Sequence, residues 1–416
     1  MWSKKTVRFL MSGLIISVML CACEKKKVYD KQTEDTFPEE KLIEKNEINE
    51  IEKGYNLTIE ESERNEAEEE CKTVMQSVFD IYEKADKGHD TNVLLGEEVM
   101  CRIQDKVSRN GCPVTTDIIY SDMLNYEIAD SFLNNCLKGK SGEMVLYEIQ
   151  YNGGISRNKY IYDGTDMYVL SSNATWTKDN KPNVSYISFS RIEQWSYTER
   201  GWFCYELCVP EYPDVTEVVD GSCMIRVKPM TEQQKSMSDK YVRGLGYQGN
   251  NILCSNWDEN NMEQLDYNGM FEYLYTMKYK EKFPSEAYCD GIPKEEFENL
   301  IMEYLPITSE KIRKYAEFDE ENNMYVWARL SCINYTPNFF GTSLPEVTDI
   351  RENEDGTVTL TVNAVCEMGL CDDAVITHEL KMRISDDGKF KYLRNTILNN
   401  GIYNIPPYQY RIVNRE

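Results

Sequence analysis

Histidine is nearly absent from this chain: its 416 residues include 2, His89 and His378. Any Ser/His/Asp or Cys/His nucleophilic site would have to use one of them. His89 sits in the polar run Lys87-Gly88-His89-Asp90, a solvated turn between helices. His378 is followed by Glu379, but the second histidine that completes a zinc-binding helix is missing and the segment alternates like a strand. The G-x-S-x-G elbow and the Gly-rich phosphate loop are missing too, so no nucleotide, no metal and no cofactor is expected. No two of the 14 cysteines stand as C-x-x-C, which excludes the thioredoxin-like and zinc-ribbon patterns. Basic residues are outnumbered, 46 Lys and Arg against 71 Asp and Glu, for a formal net charge of −25. That balance argues against nucleic acid, whose phosphates reward clusters of Lys and Arg, and against docking on anionic lipid.

The apolar run at residues 9–20 is about a dozen residues long, short of the roughly 20 that cross a bilayer as a permanent helix. Lys4, Lys5 and Arg8 precede it and Leu20-Cys21-Ala22-Cys23 follows, which is the plan of a secretory signal. Leu20, Ala22 and Cys23 resemble the lipobox of bacterial prolipoproteins, with Cys21 a departure from the usual small residue. The resemblance implies a signal peptide at residues 1–22 and a lipid, palmitate included, on Cys23. The protein is then expected on the extracytoplasmic face of the cell membrane, with the membrane as a partner through the anchor. Residues 23–66 are dense in Glu and Lys and poor in aromatics, so they are expected to form a charged flexible tether.

The remainder has the composition of globular protein, with 41% hydrophobic and 12% aromatic residues in the whole chain, and is long enough for two domains. From Ala67 the residues Cys71, Val74, Met75, Val78, Ile81, Tyr82 and Ala85 recur at helical spacing. Further helices are expected at 93–107 and at 121–139, the latter with Ser121 as N-cap and Gly139 as stop. Strands follow near 144–151, 159–162, 167–170, 184–192, 202–207 and 223–227, separated by Asn152-Gly153-Gly154, Asp163-Gly164, Arg200-Gly201 and Asp220-Gly221. The order then recurs: helices at 231–244, 261–279, 293–305 and 309–318, then strands at 324–330, 357–366, 374–384 and 390–397. The expected fold class is therefore α+β, in two tandem domains at 67–229 and 230–416, each with helices followed by an antiparallel meander. Such a plan is shared with cone-shaped, nuclear-transport-factor-like folds, a likeness that carries no function.

The stretches GIPKEEFENLIMEYLPITSEKIRKYAEFDE and FFGTSLPEVTDIRENEDGTVTLTVNAVC resemble a family of uncharacterised lipoproteins, a domain of unknown function from anaerobic Gram-positive bacteria. The resemblance implies the same address and supplies no catalytic residue.

A non-enzymatic binding protein of the cell envelope, taking a glycan or another envelope protein, is the expected function. The alternative is an envelope carbohydrate hydrolase, which needs only two carboxylates a few ångströms apart. Among 71 acids no pair stands out. The 29 Tyr and 6 Trp could line a sugar groove or fill half-buried sheet positions, and Trp176, Trp195, Trp202 and Trp257 are the ones whose exposure decides. Cys366 and Cys371 flank a turn-sized loop and are spaced for a disulfide; Cys204 or Cys208 could pair with Cys223 if their strands are neighbours. Alternation in 374–384 puts His378 on the inward face with Ile376, Leu380 and Met382. It is the candidate ligand-binding residue, either a satisfied core histidine or a group reaching into a pocket.

Overall fold

The computed structural model describes residues 53–88, 92–367 and 373–412. The signal segment with Cys23, most of the expected tether, His89 and Cys371 lie outside them. The chain is mixed α and β, with mostly antiparallel sheets, one of them curled into a half-barrel. Its contacts divide between Pro229 and Met230 into two compact units.

In the first unit, α1 (Glu61–Ser77) buries Ala67, Cys71 and Met75, one residue per turn, and turns its many glutamates outward. Short α2 (Phe79–Lys84) and α3 (Glu97–Ser108) follow, the latter burying Met100, Ile103, Gln104 and Val107. Strand β1 (Val114–Thr116) leads to α4 (Tyr126–Cys136), which starts later than the expected Ser121. Ser121 instead shares a hydrogen bond with Thr116 at 2.9 Å, and Asn125, in the left-handed conformation, holds the N-cap. Then come β2 (Gly142–Ile149), β3 (Ile155–Tyr162), β4 (Met167–Trp176), β5 (Pro182–Tyr197), β6 (Trp202–Leu207) and β7 (Ser222–Arg226). The seven strands are ordered as in the sequence, with β1 parallel to β2 and all other pairs antiparallel. The β2–β3 hairpin needs glycine at 153: its φ is +79°, and a Cβ there would lie 2.6 Å from the Tyr82 ring.

Both faces of this sheet carry core. On one, α1, α2 and α3 pack on Tyr147, Ile149, Ile155 and Ala174. On the other, Ala129, Phe132 and Leu133 of α4 pack on Met144, Leu146, Tyr160 and Val169. The folded part also begins earlier than the expected boundary at 67. The Arg191 amide donates to the Gly54 carbonyl at 2.7 Å, the Leu57 amide donates to Phe189 at 2.9 Å, and Lys53 and Tyr55 both hold Asp214, at 3.0 and 2.9 Å. Residues 53–57 thus form a strap along β5.

The second unit opens on α5 (Glu232–Met237), whose Thr231 and Gln234 close a capping box, and runs on through a π turn at Ser238–Val242. Helices α6 (Tyr267–Tyr279), α7 (Lys294–Tyr304) and α8 (Ser309–Tyr315) follow β8 (Trp257–Asp258). Strands β9 (Ile292–Pro293), β10 (Phe318–Asp319) and β11 (Met324–Tyr325) make a small sheet. Strand β11 ends at Tyr325, well short of the expected 330. The meander β12 (Leu344–Glu352), β13 (Val358–Val365), β14 (Ile376–Ile384) and β15 (Phe390–Ile397) is extended by β8 on the β15 edge. One core joins Phe271, Phe297 and Ile301 of the helices to Leu360, Val362, Leu380 and Tyr392 of the sheet.

Candidate functional site

His378 is fully buried, and β14 alternates as its sequence requires, with Ile376, His378, Leu380 and Met382 inward. Its Nδ1 lies 2.6 Å from Asn395 Oδ1 and its Nε2 lies 2.9 Å from Tyr247 Oη. Burial lowers its pKa to about 4, with the Asn395 hydrogen bond opposing. Both ring nitrogens are engaged inside the core, so the geometry is that of a satisfied core histidine and not of a group reaching into a pocket. Cys366 is buried and directs its Sγ to the Phe339 carbonyl at 3.3 Å. Register separates Cys204 from Cys223: Cys204 opposes Met224 and Cys223 opposes Tyr205, so the two point to opposite faces of the sheet. Trp202 and Trp257 are buried, and Trp176 and Trp195 are half-buried, so the tryptophans form no outward stripe.

A buried polar cluster lies in the second unit. Arg411 donates to Glu272 at 2.8 Å and to the Tyr273 hydroxyl at 3.3 Å, and Tyr408 donates to Asp266 at 2.7 Å. Asp266 also caps α6 through the Gly269 amide at 2.8 Å. Burial works against the Arg411 charge, but the Glu272 hydrogen bond and carboxylate outweigh it, and the net shift is upward. This is a clasp that fixes the C-terminal strap. Beside that strap, Cys332, Tyr335, Gln409 and Tyr410 line an open depression of about 440 Å³. Another, of about 450 Å³, lies in the first unit over buried Phe132 and Met144.

A different arrangement emerges from the register of the seven-stranded sheet. Thr115 of β1 opposes Glu148 of β2, Glu148 opposes Ser156 of β3, Ser156 opposes Asn173 of β4, and Asn173 opposes Tyr186 of β5. Directly opposed side chains share a face, so these form one polar row across five strands, about 19 Å long at the usual strand spacing. The next row on that face is Leu146, Asn158, Ser171 and Ser188; the one beyond is Met144, Tyr160, Val169 and Ser190. The face therefore grades from the apolar core under α4 to a band of hydroxyls and amides. Exposure along the polar row is least at its centre, 1% at Ser156, and greatest at Tyr186, 42%. Gln150 braces Ser156 with a hydrogen bond of 3.0 Å. Among the described residues the Asn173 side-chain oxygen is buried without a hydrogen-bond partner, which costs about 1–3 kcal/mol while it stays unmet.

Across these three rows Glu148 is the one acid among 13 residues. Nearby in sequence, burial raises the Asp117 pKa to about 6 against the Tyr151 amide that hydrogen bonds to it, and no second acid contributes to that shift among the described residues. No group of His, Cys, Asp and Glu among the described residues could hold a metal ion. Sequence reasoning missed the row. Its signal was the polar alternate positions of β3 and β4, but which of them align is set by pairing and by a bulge at Asn173 and Ala174.

The chain belongs to the family of unknown function DUF6070, which it matches over residues 64–411. No curated protein and no solved structure matches it. No helix among the described residues is long and apolar enough to cross a membrane.

Proposed function

We propose that this is a lipoprotein, attached through Cys23 to the extracytoplasmic face of the cell membrane, whose folded part is a non-enzymatic binding module of the envelope. The anchor is supported by the basic start, the short apolar run and Leu20-Cys21-Ala22-Cys23. The binding role is supported by one observation above the others, the continuous polar row from Thr115 to Tyr186. Each unit is proposed to share the cone-shaped, nuclear-transport-factor-like plan, in which helices pack on a curved antiparallel sheet that wraps a pocket. A carbohydrate hydrolase needs two converging acids, and the polar rows offer Glu148 alone. Two measurements test the proposal. Cys23→Ala should abolish incorporation of labelled fatty acid and leave an unprocessed precursor; undiminished labelling would exclude the anchor. Exposing the full-length protein to envelope extracts should slow hydrogen exchange in β4 and β5, and unchanged exchange there would exclude the binding face.

A further inference from the structure

We infer that the depression beside the C-terminal strap of the second unit is a site for a neutral saccharide, separate from the polar row proposed above. Its walls come from two segments far apart in sequence, 332–336 and 409–412, and its volume of about 440 Å³ lies within the roughly 300–1,000 Å³ of small-ligand sites. It is open to solvent: Cys332, Ile333 and Thr336 are exposed, Ile333 by 93%. The lining carries no charge. In a chain with 71 Asp and Glu and 46 Lys and Arg, none of the eight described lining residues is an acid, a lysine or an arginine. A phosphate or uronate would find no cation among them, and a cationic ligand no carboxylate. The polar groups are the amides and hydroxyls of Asn334, Thr336, Gln409 and Tyr410, which donate and accept as sugar hydroxyls do. Most are set before a ligand arrives. Gln409 bridges to Thr336 with both ends of its side-chain amide, accepting from the Thr336 N–H at 2.9 Å and donating to the Thr336 carbonyl at 3.1 Å. Asn334 Oδ1 accepts from the Ser331 N–H at 2.9 Å, and the Tyr410 hydroxyl donates to the Gln264 carbonyl at 2.8 Å. Between Tyr410 and Ile412, buried Arg411 pins the strap through Glu272. A wall held in this way loses little conformational freedom on binding. Half-buried Tyr335 and Tyr410 add aromatic rings, on which the apolar face of a pyranose can lie. Eight lining residues fall well short of the roughly 20–30 a side of a stable protein interface, so the fit is to a small ligand.

The test uses the full-length protein in detergent with a panel of neutral trisaccharides of glucose, mannose, galactose and N-acetylglucosamine. At least one should slow alkylation of Cys332, read by mass spectrometry of its peptide, and leave alkylation of Cys101, an exposed thiol of the first unit, unchanged. Hydrogen exchange in residues 331–336 should slow with it. Tyr410→Ala should weaken binding about tenfold, and Tyr410→Phe should keep most of the affinity, because the ring carries the contact. Thr336→Val, which removes an exposed hydroxyl at nearly constant volume, should weaken binding about threefold without moving the unfolding midpoint. Uronate and phosphorylated trisaccharides should bind at least about tenfold more weakly, and equal binding would overturn the selection for a neutral ligand. If end-capped neutral peptides protect Cys332 and no saccharide does, the saccharide assignment falls. If neither protects it, the site falls, while the polar row, read from exchange in β4 and β5, stands or falls on its own measurement. Binding that ignores Tyr410→Ala and Thr336→Val overturns the placement.

Discussion

His378 and Asn395 settle one another's hydrogen-bonding roles. The Asn395 amide nitrogen donates to the carbonyls of Leu253 and Ser255, at 3.1 and 2.8 Å, so its Oδ1 is the acceptor facing His378 Nδ1 at 2.6 Å. The proton of the neutral imidazole therefore sits on Nδ1, and Nε2 accepts from the Tyr247 hydroxyl at 2.9 Å. Three residues from separate parts of the second unit are locked in one neutral chain of hydrogen bonds.

His378→Phe should accordingly destabilise the protein by about 2–5 kcal/mol, since it removes the hydrogen bond of His378 to the Asn395 oxygen and that of the Tyr247 hydroxyl to His378 together. Denaturant unfolding, followed in peptides of the second unit by hydrogen exchange, measures this. A change below about 1 kcal/mol would mean the chain of bonds contributes little.

Acid should weaken the two units differently. The folded pKa of His378 is depressed to about 4 from 6.5, so its stabilisation is complete above pH 6.5 and is lost as pH falls toward 4. The loss amounts to about 3 kcal/mol over that window. Asp117 has the opposite sign: its folded pKa is raised to about 6, so its contribution is complete below its ordinary value of 3.8 and is lost as pH rises through 6. Opening free energies from hydrogen exchange, corrected for the intrinsic pH dependence of amide exchange, should therefore fall more in the second unit between pH 7 and 4. The dependence there should flatten in His378→Phe, and persistence of the full slope would assign it to other groups.

The N-terminal strap should be separable from the fold it covers. Gly54 has φ +74°, and a Cβ there would lie 2.7 Å from Cys208 Sγ. Gly54→Ala should cost about 1–3 kcal/mol and open residues 53–60 to protease, and Asp214→Ala should open the same segment by freeing Lys53 and Tyr55. Cleavage rates equal to wild type would show that β5 does not hold the strap.

Arg411→Ala should destabilise the second unit by about 2–4 kcal/mol, because Glu272 is left without its cation and Tyr273 without its donor. Glu272→Gln keeps a hydrogen-bond acceptor beside the guanidinium and should cost less. Equal losses would imply that charge, and not packing of the strap, dominates the clasp.

Much of this molecule follows from local rules. Period two in 374–384 sets the inward face of β14, and period 3.6 places Cys71 and Met75 in the core. Asn152-Gly153-Gly154 forms the β2–β3 turn because only glycine tolerates the conformation beside Tyr82. These outcomes depend on residues within a turn or two of one another. Other features are decided by partners far along the chain. The helix expected over 231–244 is α only to Met237, because the π turn that follows lets the Ser238 hydroxyl accept from the Val347 amide 109 residues away. Tyr247 finds His378 across 131 residues, and the two-residue strand at Trp257 exists only because β15 offers it an edge. The polar row is the sharpest case. Each strand fixes which of its side chains alternate, but sliding one strand by a single residue would send its polar set to the opposite face. The lining of that band is therefore a property of register, which the bulge at Asn173 and the packing of α4 determine and no single strand encodes.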